Sequence, residues 1–147
     1  MSKINQEISG HVAKIIQKNS FAFLGTLMKD GSPHVTPVWI DIVDNTILIN
    51  TAEGRIKQKN VSRDPRVSIS LIDDENPYSM VTIRGHVIEQ TSNDADEHID
   101  KLAKKNLNTD KYPGHSPSVK RVILRVRPEK IFYLPPRYEQ YLRKKRN

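Results

Sequence analysis

The segment 21–51, FAFLGTLMKDGSPHVTPVWIDIVDNTILINT, decides the fold. It contains three runs rich in β-branched and aromatic residues, which are typical of strands. The Asp-Gly pair of "KDGSP" predicts a tight hairpin between the first two runs, and "DN" predicts a second turn. Because Pro37 cannot donate to a strand ladder, we expect the middle run, 34–43, at an edge or a bend of the sheet. These features predict an antiparallel meander.

Further strands and helices are expected on both sides of this meander. Isoleucine and valine recur at helical spacing before it, which predicts an amphipathic helix from Ile4 to Lys18 that ends near Asn19. The rest of the pattern predicts three more strands, at 66–73, 80–90 and 121–134, and two helices, at 55–64 and 92–105, the second beginning at Ser92, Asn93 or Asp94.

The order of these elements lacks the strand–helix–strand rhythm of a parallel sheet. We therefore predict a mainly β fold: one domain, 1–136, that contains a six-stranded antiparallel barrel, closed or nearly closed, with helical cover. No run approaches the roughly 18 apolar residues of a membrane span, and the chain starts without the apolar stretch of a signal peptide. We expect a cytoplasmic protein that does not bind membranes.

The composition excludes several kinds of chemistry. The chain has no cysteine, which excludes disulfides, thiolate ligands and cysteine nucleophiles. Its five histidines lack the spacing of metal ligands, so we expect no metal site, and motifs for nucleotide phosphates and serine nucleophiles are absent. These patterns assign no catalytic residue. An enzyme with this sequence would take its reactive group from an organic cofactor.

The positive charge is unevenly distributed along the chain. The formal net charge is +7, and the last eleven residues, RYEQYLRKKRN, hold five Lys or Arg against one Glu, a net charge of +4. We expect residues 137–147 to form a solvated basic tail, with nucleic-acid binding as the alternative. That alternative requires a strongly salt-dependent affinity that disappears when the tail is removed.

A second basic cluster directly follows the strand pattern "TILIN". The segment TAEGRIKQKN places Arg55, Lys57 and Lys59 at the start of a helix, whose unpaired N–H groups also attract anions. Arg55 offers a planar fork for bidentate phosphate contact, and the two lysines act as mobile charges. Thr51 adds a hydroxyl donor and Asn60 an amide. The pattern is compatible with a phosphate site and with an ordinary solvated helix.

Three stretches, LGTLMKDGSPHVTPVWI, ILINTAEGRIKQKNVSRDPRVSISLID and YSMVTIRGHV, resemble the split-barrel proteins of the pyridoxamine 5′-phosphate oxidase superfamily. In particular, they resemble the branch of small proteins that bind coenzyme F420. The resemblance runs from Phe21 to Gly85 and resumes at KIFYLPP, and its most specific part is the string R-x-K-x-x-N-[VL]-x-R-D-P-R, from Arg55 to Arg66. It implies an FMN-binding type of split barrel that works as a homodimer, with two cofactor sites in the groove between the chains.

The resemblance also implies which residues bind the cofactor. In the family the phosphate lies on the residues that correspond to Arg55, Lys57 and Asn60, and the flavin-like ring lies along the second strand of the meander. The cofactor-binding residues expected here are Thr36, Pro37, Val38 and Trp39 for the ring, Asn50, Thr51, Ala52, Arg55, Lys57, Lys59 and Asn60 for the phosphate, and Tyr78 and Met80 from the second chain. Strand alternation places Trp39 away from the barrel core, which agrees with a role in the ring pocket or the dimer interface.

FMN and F420 both carry a ring, a ribityl-type chain and a phosphate, so the basic cluster fits either one. The positive balance of the chain suits the longer acidic tail of F420. The resemblance thus implies an F420-dependent oxidoreductase that transfers a hydride between F420 and a small acceptor. The alternatives are an FMN-binding oxidoreductase and a non-catalytic carrier of a flavin or deazaflavin. Tyr78, Tyr133 and His34 are the candidates for a general acid.

Overall fold

The computed structural model describes residues 6–146. Its strands are β1 (Phe21–Leu27), β2 (Pro33–Trp39), β3 (Asp41–Val43), β4 (Thr46–Ala52), β5 (Arg66–Ile72), β6 (Met80–Thr91) and β7 (Arg121–Leu134). Its helices are α1 (Gly10–Lys18), α2 (Ile56–Arg63), α3 (Ala95–Leu107) and α4 (Glu139–Arg146). Within the described part of the chain, no helix combines the length and the apolar character that crossing a membrane requires.

All seven strands belong to one antiparallel sheet with the order β2-β1-β5-β6-β7-β4-β3. The two outermost strands, β2 and β3, are joined by Ile40 alone, so the two edges of the sheet meet at this residue. The sheet therefore curls into a barrel, and Ile40 is fully buried inside it. The predicted fold class, a mainly β antiparallel barrel with flanking helices, is confirmed.

The predicted count of six strands is wrong, because the run 34–43 forms two strands rather than one. Its first half pairs with β1, where Trp39 lies opposite Phe21, and its second half pairs with β4, where Asp41 lies opposite Leu48. One continuous strand could not reach both edges of the sheet, so the chain bends at Ile40. Pro37 lies on β2, an edge strand, as its missing N–H predicted.

The barrel core follows from the alternation of side chains along each strand. In β1, Ala22, Leu24 and Thr26 point inward and are buried, whereas Phe21 and Phe23 point outward and are half exposed. The inward side chains of the strands form one apolar cluster, and the buried face of α1 belongs to it. Each isoleucine or leucine buried in this way stabilises the fold by about 1.5–3 kcal/mol.

Helix α1 begins later than the sequence pattern predicted. Residues 6–9 are not helical, and Ser9 caps the helix because its Oγ accepts a hydrogen bond from the Val12 N–H at 3.3 Å. The predicted start at Ile4 lies outside the described residues. The predicted end is confirmed, since Asn19 is the C-terminal cap.

Helix α3 packs against the outer face of β4 and β7. Ala95 contacts Leu48 and Ile123 there in a second, smaller apolar cluster. The helix begins after Asp94, the last of its three predicted cap residues, although the Asp94 side chain makes no capping hydrogen bond. This contact places the first two turns of α3 next to the end of β4.

The segment after Pro136 contains helix α4, which the sequence analysis did not predict. The Asn76 side chain donates to the Arg137 carbonyl at 3.2 Å, and the rings of Tyr78 and Tyr138 meet edge to face at 5.0 Å. None of the α4 side chains is buried. The boundary between the domain and the basic tail at residue 136 stays a prediction.

Candidate functional site

An open cleft of about 570 Å³ lies where the ends of β2 and β4 meet the loop that precedes β7. The start of α2 and residues of α3 complete its walls. The cleft brings together seven of the predicted cofactor-binding residues: Pro37, Val38, Trp39, Asn50, Thr51, Arg55 and Lys57. These residues come from β2, from the end of β4 and from the start of α2, and the fold brings them to one cleft.

Three cations line this cleft: Arg55, Lys57 and Arg121. Among residues 6–146, none of the three has a carboxylate oxygen within the 4.0 Å that defines an ion pair. Burial lowers the pKa of Lys57, and the positive charges of Arg55 and Arg121 lower it further. The cations therefore repel one another, and a bound anion would relieve this repulsion.

Arg121 is the most buried of the three cations, with 5% of its surface exposed. Burial lowers the pKa of its guanidinium and the charge of Arg55 acts in the same direction, whereas Tyr112 and the charge of Asp96 act in the opposite direction. Its Nε donates to the Asn50 Oδ1 at 2.9 Å, and its guanidinium lies 5.3 Å from the centre of the Tyr112 ring. The side chain is therefore fixed between an amide and an aromatic face.

Thr51 contributes an unsatisfied hydroxyl group. The residue is 1% exposed, and its Oγ1 has no hydrogen-bond partner in the structure. A buried polar group without a partner costs about 1–3 kcal/mol. Thr51 lines the same cleft as the cations, but its Oγ1 is itself closed off from solvent.

The rest of the cleft is apolar and aromatic. Trp39 is half-buried, and its ring meets the Tyr112 ring edge to face with the centres 5.9 Å apart. Further apolar lining comes from Phe21, Ile99 and Leu107. Pro37 and Trp39 of β2 form one wall of the cleft, which we call the ring wall. Since β2 is an edge strand, the N–H groups on its open side have no strand partner.

Six predicted cofactor-binding residues do not line the cleft in the described chain: Thr36, Ala52, Lys59, Asn60, Tyr78 and Met80. Lys59 lies on the exposed side of α2. Tyr78 and Met80 are expected from the second chain of a dimer, so their positions in one chain do not test their role. All six assignments stay predictions.

Asn60 already has several hydrogen-bond partners. It is 2% exposed, its Nδ2 donates to the Thr26 Oγ1 at 3.0 Å, and its Oδ1 accepts from the Arg63 Nη2 at 2.9 Å. The Arg63 Nη2 also donates to the Leu27 carbonyl at 2.8 Å. These bonds attach α2 to β1 and so fix the position of the helix that carries Lys57.

The three candidates for a general acid lie elsewhere in the described chain. Tyr133 stacks on His11, Tyr78 packs against Tyr138, and His34 lies on β2 opposite Thr26. None of the three lines the cleft. Between residues 6 and 146, no group of three His, Asp or Glu side chains is arranged to hold a metal ion.

Sequence reasoning missed the other residues that line the cleft, and Tyr112 and Arg121 are the two of them that matter most for its chemistry. Tyr112 belongs to a loop without periodicity, and only the fold places that loop beside Trp39. Arg121 is the first residue of β7 and precedes the apolar run "VIL". A charged residue at the start of a buried strand was the available signal, but the sequence does not show that β7 pairs with the end of β4.

The residues present fit a ligand that has both a planar ring and an anionic group. The three cations, none of which has a carboxylate partner within residues 6–146, suit phosphate oxygens, which accept charge-assisted hydrogen bonds. The Trp39 and Tyr112 rings and the open edge of β2 suit a flat aromatic group. Flavins and deazaflavins with a phosphorylated side chain have this combination.

Comparison with known proteins shows the family and the fold of this chain. The family model described as pyridoxamine 5′-phosphate oxidase matches residues 8–135. A solved F420 reductase superposes with a TM-score of 0.76 and 23% identity, over 85% of this chain and 98% of that one. A conserved hypothetical protein from Mycobacterium tuberculosis superposes with a TM-score of 0.66 and 24% identity, over 92% of this chain and 89% of that one.

A third similar structure is General Stress Protein 26 from Bacillus anthracis, with a TM-score of 0.60 and 19% identity over 84% of this chain and 90% of that one. At these identities the structures show a shared fold, and the family match covers most of the chain. This chain therefore belongs to the pyridoxamine 5′-phosphate oxidase family, and it has the split-barrel fold and the character of a flavin-type oxidoreductase.

Proposed function

We propose that this protein is an F420-dependent oxidoreductase that binds the deazaflavin in the cleft and transfers a hydride to or from a small acceptor. The main support is the cluster of Arg55, Lys57 and Arg121 beside an aromatic wall. These cations have no carboxylate partner among the described residues. FMN is the alternative cofactor, because its ring and phosphate match the same two parts of the cleft.

The anionic part of the cofactor binds at the junction of β4 and α2. Arg55 donates two parallel hydrogen bonds to phosphate oxygens, and Lys57 adds a point charge. The charge of the ligand offsets the repulsion that lowers the pKa of Lys57.

The ring part lies against β2, where Pro37 and Trp39 form the wall. The bound ring supplies the hydride chemistry, which no protein side chain performs. The protein orients the ring with the open N–H groups of β2 and keeps water away with the Trp39 and Tyr112 rings. In this proposal, catalysis depends on placement, and no side chain is obligatory as an acid or base.

Two observations favour testing F420 before FMN. Three cations exceed what a single phosphodiester needs, and F420 carries further carboxylates on its tail. An F420 reductase also shares the fold over most of both chains. The charge of the cleft favours the larger anion, and the shared fold favours F420 as the first ligand to test.

The proposal includes a homodimer, because the barrel presents an apolar outer surface next to the cleft. We define the apolar sheet face as Phe21, Phe23, Val35, Ile72 and Phe132, which are 48–60% exposed. The pairing aligns Phe23, Ser70, Thr82 and Phe132 in one row across four strands. Phe21 also lines the cleft, so a second copy seated on this face would cover the ring wall.

The test is a titration of cofactor-free protein with F420 and with FMN, followed by fluorescence at moderate salt. Tighter binding of F420 supports the proposal and leads to a single-turnover assay, in which bound reduced F420 is mixed with candidate acceptors. Tighter binding of FMN moves the chemistry to flavin reduction. Binding of neither cofactor contradicts the proposal, and binding without turnover of any acceptor favours the carrier.

A further inference from the structure

We propose that Arg121 is a third anion-binding residue of the cleft, and that Asp41, His98 and Asn50 hold its guanidinium in place through a continuous chain of hydrogen bonds. The ligand is a phosphate group, either on the cofactor or free. The inference rests on the proposed function for the identity of the cofactor. The anion site itself can be tested with inorganic phosphate alone.

The chain of hydrogen bonds crosses from β3 to β7 through α3 and β4. The Asp41 Oδ2 lies 2.9 Å from the His98 Nε2, and the His98 Nδ1 lies 3.1 Å from the Asn50 Nδ2. The Asn50 Oδ1 then accepts from the Arg121 Nε at 2.9 Å. His98 and Arg121 are both more than nine-tenths buried, so water competes little for these bonds.

Chemistry fixes the direction of every bond in this chain. The Arg121 guanidinium only donates, so Asn50 must present its Oδ1 to it. The Asn50 Nδ2 then donates to the Ala95 carbonyl, which only accepts, at 2.8 Å, and its second hydrogen points to the His98 Nδ1. The His98 Nδ1 is therefore an acceptor, and its Nε2 carries the proton that is donated to Asp41.

Asp41, at the other end of this series of hydrogen bonds, is held by several partners. Besides the bond from His98, its carboxylate accepts from the Ile42 N–H at 2.9 Å and from the Lys101 Nζ at 3.2 Å. Asp41 and His98 do not line the cleft. They act through Asn50, so they are positioning residues for Arg121.

Arg121, at the cleft end of this series of hydrogen bonds, has unused hydrogen-bond donors. One donor of the Arg121 guanidinium, Nε, is bound to Asn50, and no other side-chain hydrogen bond of Arg121 occurs in the described residues. A buried cation without a carboxylate partner is costly. A phosphate beside Arg55 and Lys57 would supply a compensating negative charge in the same cleft.

The first experiment measures how strongly phosphate protects the protein. The melting temperature is recorded with increasing inorganic phosphate for the wild type, Arg121→Met and Arg125→Met. Arg125 lies on the same strand but pairs with Glu89 at 3.2 Å, so its variant matches the loss of charge outside the cleft. We expect phosphate to stabilise the wild type and Arg125→Met but not Arg121→Met. Equal stabilisation of all three proteins overturns the inference.

The second experiment separates the phosphate from the ring. FMN and riboflavin differ only in the phosphate. F420 and its phosphate-free chromophore differ in the whole charged tail. We expect Arg121→Met to lower the affinity for the phosphorylated ligand about 10- to 100-fold, which corresponds to the loss of one or two hydrogen bonds to a charged group. The affinity for the uncharged ligand should stay the same. An equal loss for both ligands overturns the inference.

The positioning role is tested with His98→Gln, because the Gln Nε2 can still donate to Asp41 but the side chain has no atom at the position of the His98 Nδ1, which accepts from Asn50. We expect a severalfold weaker affinity for FMN with riboflavin unchanged, a ratio that a general loss of stability would not alter. His86→Gln is the matched control, since His86 pairs with Glu129 and does not line the cleft. An unchanged ratio in His98→Gln contradicts the positioning role.

The two proposals fail in different ways. If wild-type protein binds neither F420 nor FMN, the proposed function is wrong. If phosphate still stabilises that protein and Arg121→Met abolishes the effect, Arg121 remains an anion-binding residue. If the wild type binds the cofactor and Arg121→Met binds it equally well, the proposed function stands and the assignment of Arg121 is wrong.

Discussion

Arg55 is exposed and Arg121 is buried, although both line the same cleft. An exposed arginine contributes little to stability, so its place in the sequence reflects its ligand rather than the fold. A buried arginine without a carboxylate partner carries a desolvation cost that another interaction must offset. At the scale of single residues, the cleft therefore contains one cation that is available to a ligand and one that is held in place for it.

Replacing Arg55 or Lys57 by alanine should weaken cofactor binding about 10-fold or more, because each removes a charge-assisted bond to phosphate. For Arg55→Ala the free energy of unfolding should change by no more than about 0.5 kcal/mol, as is usual for exposed positions; Lys57 is half-buried, so this limit does not extend to it. Isothermal titration gives the affinity and urea denaturation gives the stability. Lys29→Ala is the comparison, since Lys29 is exposed in the turn between β1 and β2 and does not line the cleft, and unchanged binding in both test variants would refute the phosphate site.

Asp41 should make stability depend on pH. Burial raises the pKa of its carboxyl, but hydrogen bonds from His98, the Ile42 backbone and Lys101 outweigh burial and lower the pKa to about 2. A folded-state pKa below the unfolded value of 3.8 contributes stability above pH 4 that is lost as the pH falls towards 2. The contribution at neutral pH is about 2 kcal/mol.

The measurement is urea denaturation of the wild type and Asp41→Asn at several pH values. The difference in the free energy of unfolding between the two proteins should decrease from neutral pH towards pH 2. A difference that stays constant across this range would show that the Asp41 carboxylate is not stabilised by its charge.

The sequence predicted Arg55 and Lys57 because neighbouring residues along one helix display their charge directly. It could not predict Arg121, because the partner of that residue, Asn50, is 71 positions away. The contact exists only after β7 has paired with β4 and placed Arg121 opposite Ala52. Site residues that depend on strand pairing are therefore harder to predict than those that share a helix.

At the scale of elements, the strand patterns and turn signals were sufficient to predict the meander, and the alternation of β1 matches its burial. The break at Ile40 was not predictable, because the run 34–43 has the composition of one long strand. Only the closure of the sheet requires a bend there. Helix α4 was missed because its residues are mostly charged and bury no side chain.

Gly85 lies at an irregularity in the pairing of β6 with β7. A Cβ atom at this position would lie 2.2 Å from the Arg127 carbonyl oxygen, which belongs to the backbone and cannot move aside easily. Gly85→Ala should therefore lower the free energy of unfolding by about 1–3 kcal/mol, the usual cost of overpacking.

The control for this substitution is Gly10→Ala, because a Cβ at Gly10 meets nothing within 4 Å and the residue lies in α1. Alanine should leave stability unchanged or raise it by about 0.4–1 kcal/mol there. Urea denaturation of both variants measures the two effects. Equal stability of Gly85→Ala and the wild type would mean that the strands separate at this position without cost.

At the scale of the whole molecule, the apolar sheet face and the cleft share Phe21, so oligomeric state and cofactor binding should be linked. Phe23→Lys should produce a monomer, since the lysine would place a charge in the middle of the proposed interface. The chain itself should remain folded, because Phe23 is 51% exposed and contributes little to the core.

Sedimentation velocity measures the oligomeric state, and the F420 titration is repeated on the same samples. Ile88→Lys is the control, because Ile88 is 52% exposed but is not one of the residues of the apolar sheet face. A Phe23→Lys protein that remains a dimer with normal affinity would exclude this face as the interface.

The single residue between β2 and β3 has a consequence for how this protein tolerates changes in length. Trp39 and Asp41 flank Ile40. Trp39 belongs to the ring wall, and Asp41 is the last residue in the series of hydrogen bonds that holds Arg121. An insertion or deletion here would shift the pairing at both sheet edges at once and displace both side chains. Homologous sequences should therefore keep a constant spacing at this bend, and loop-length variation should be confined to exposed turns such as Lys29–Gly31.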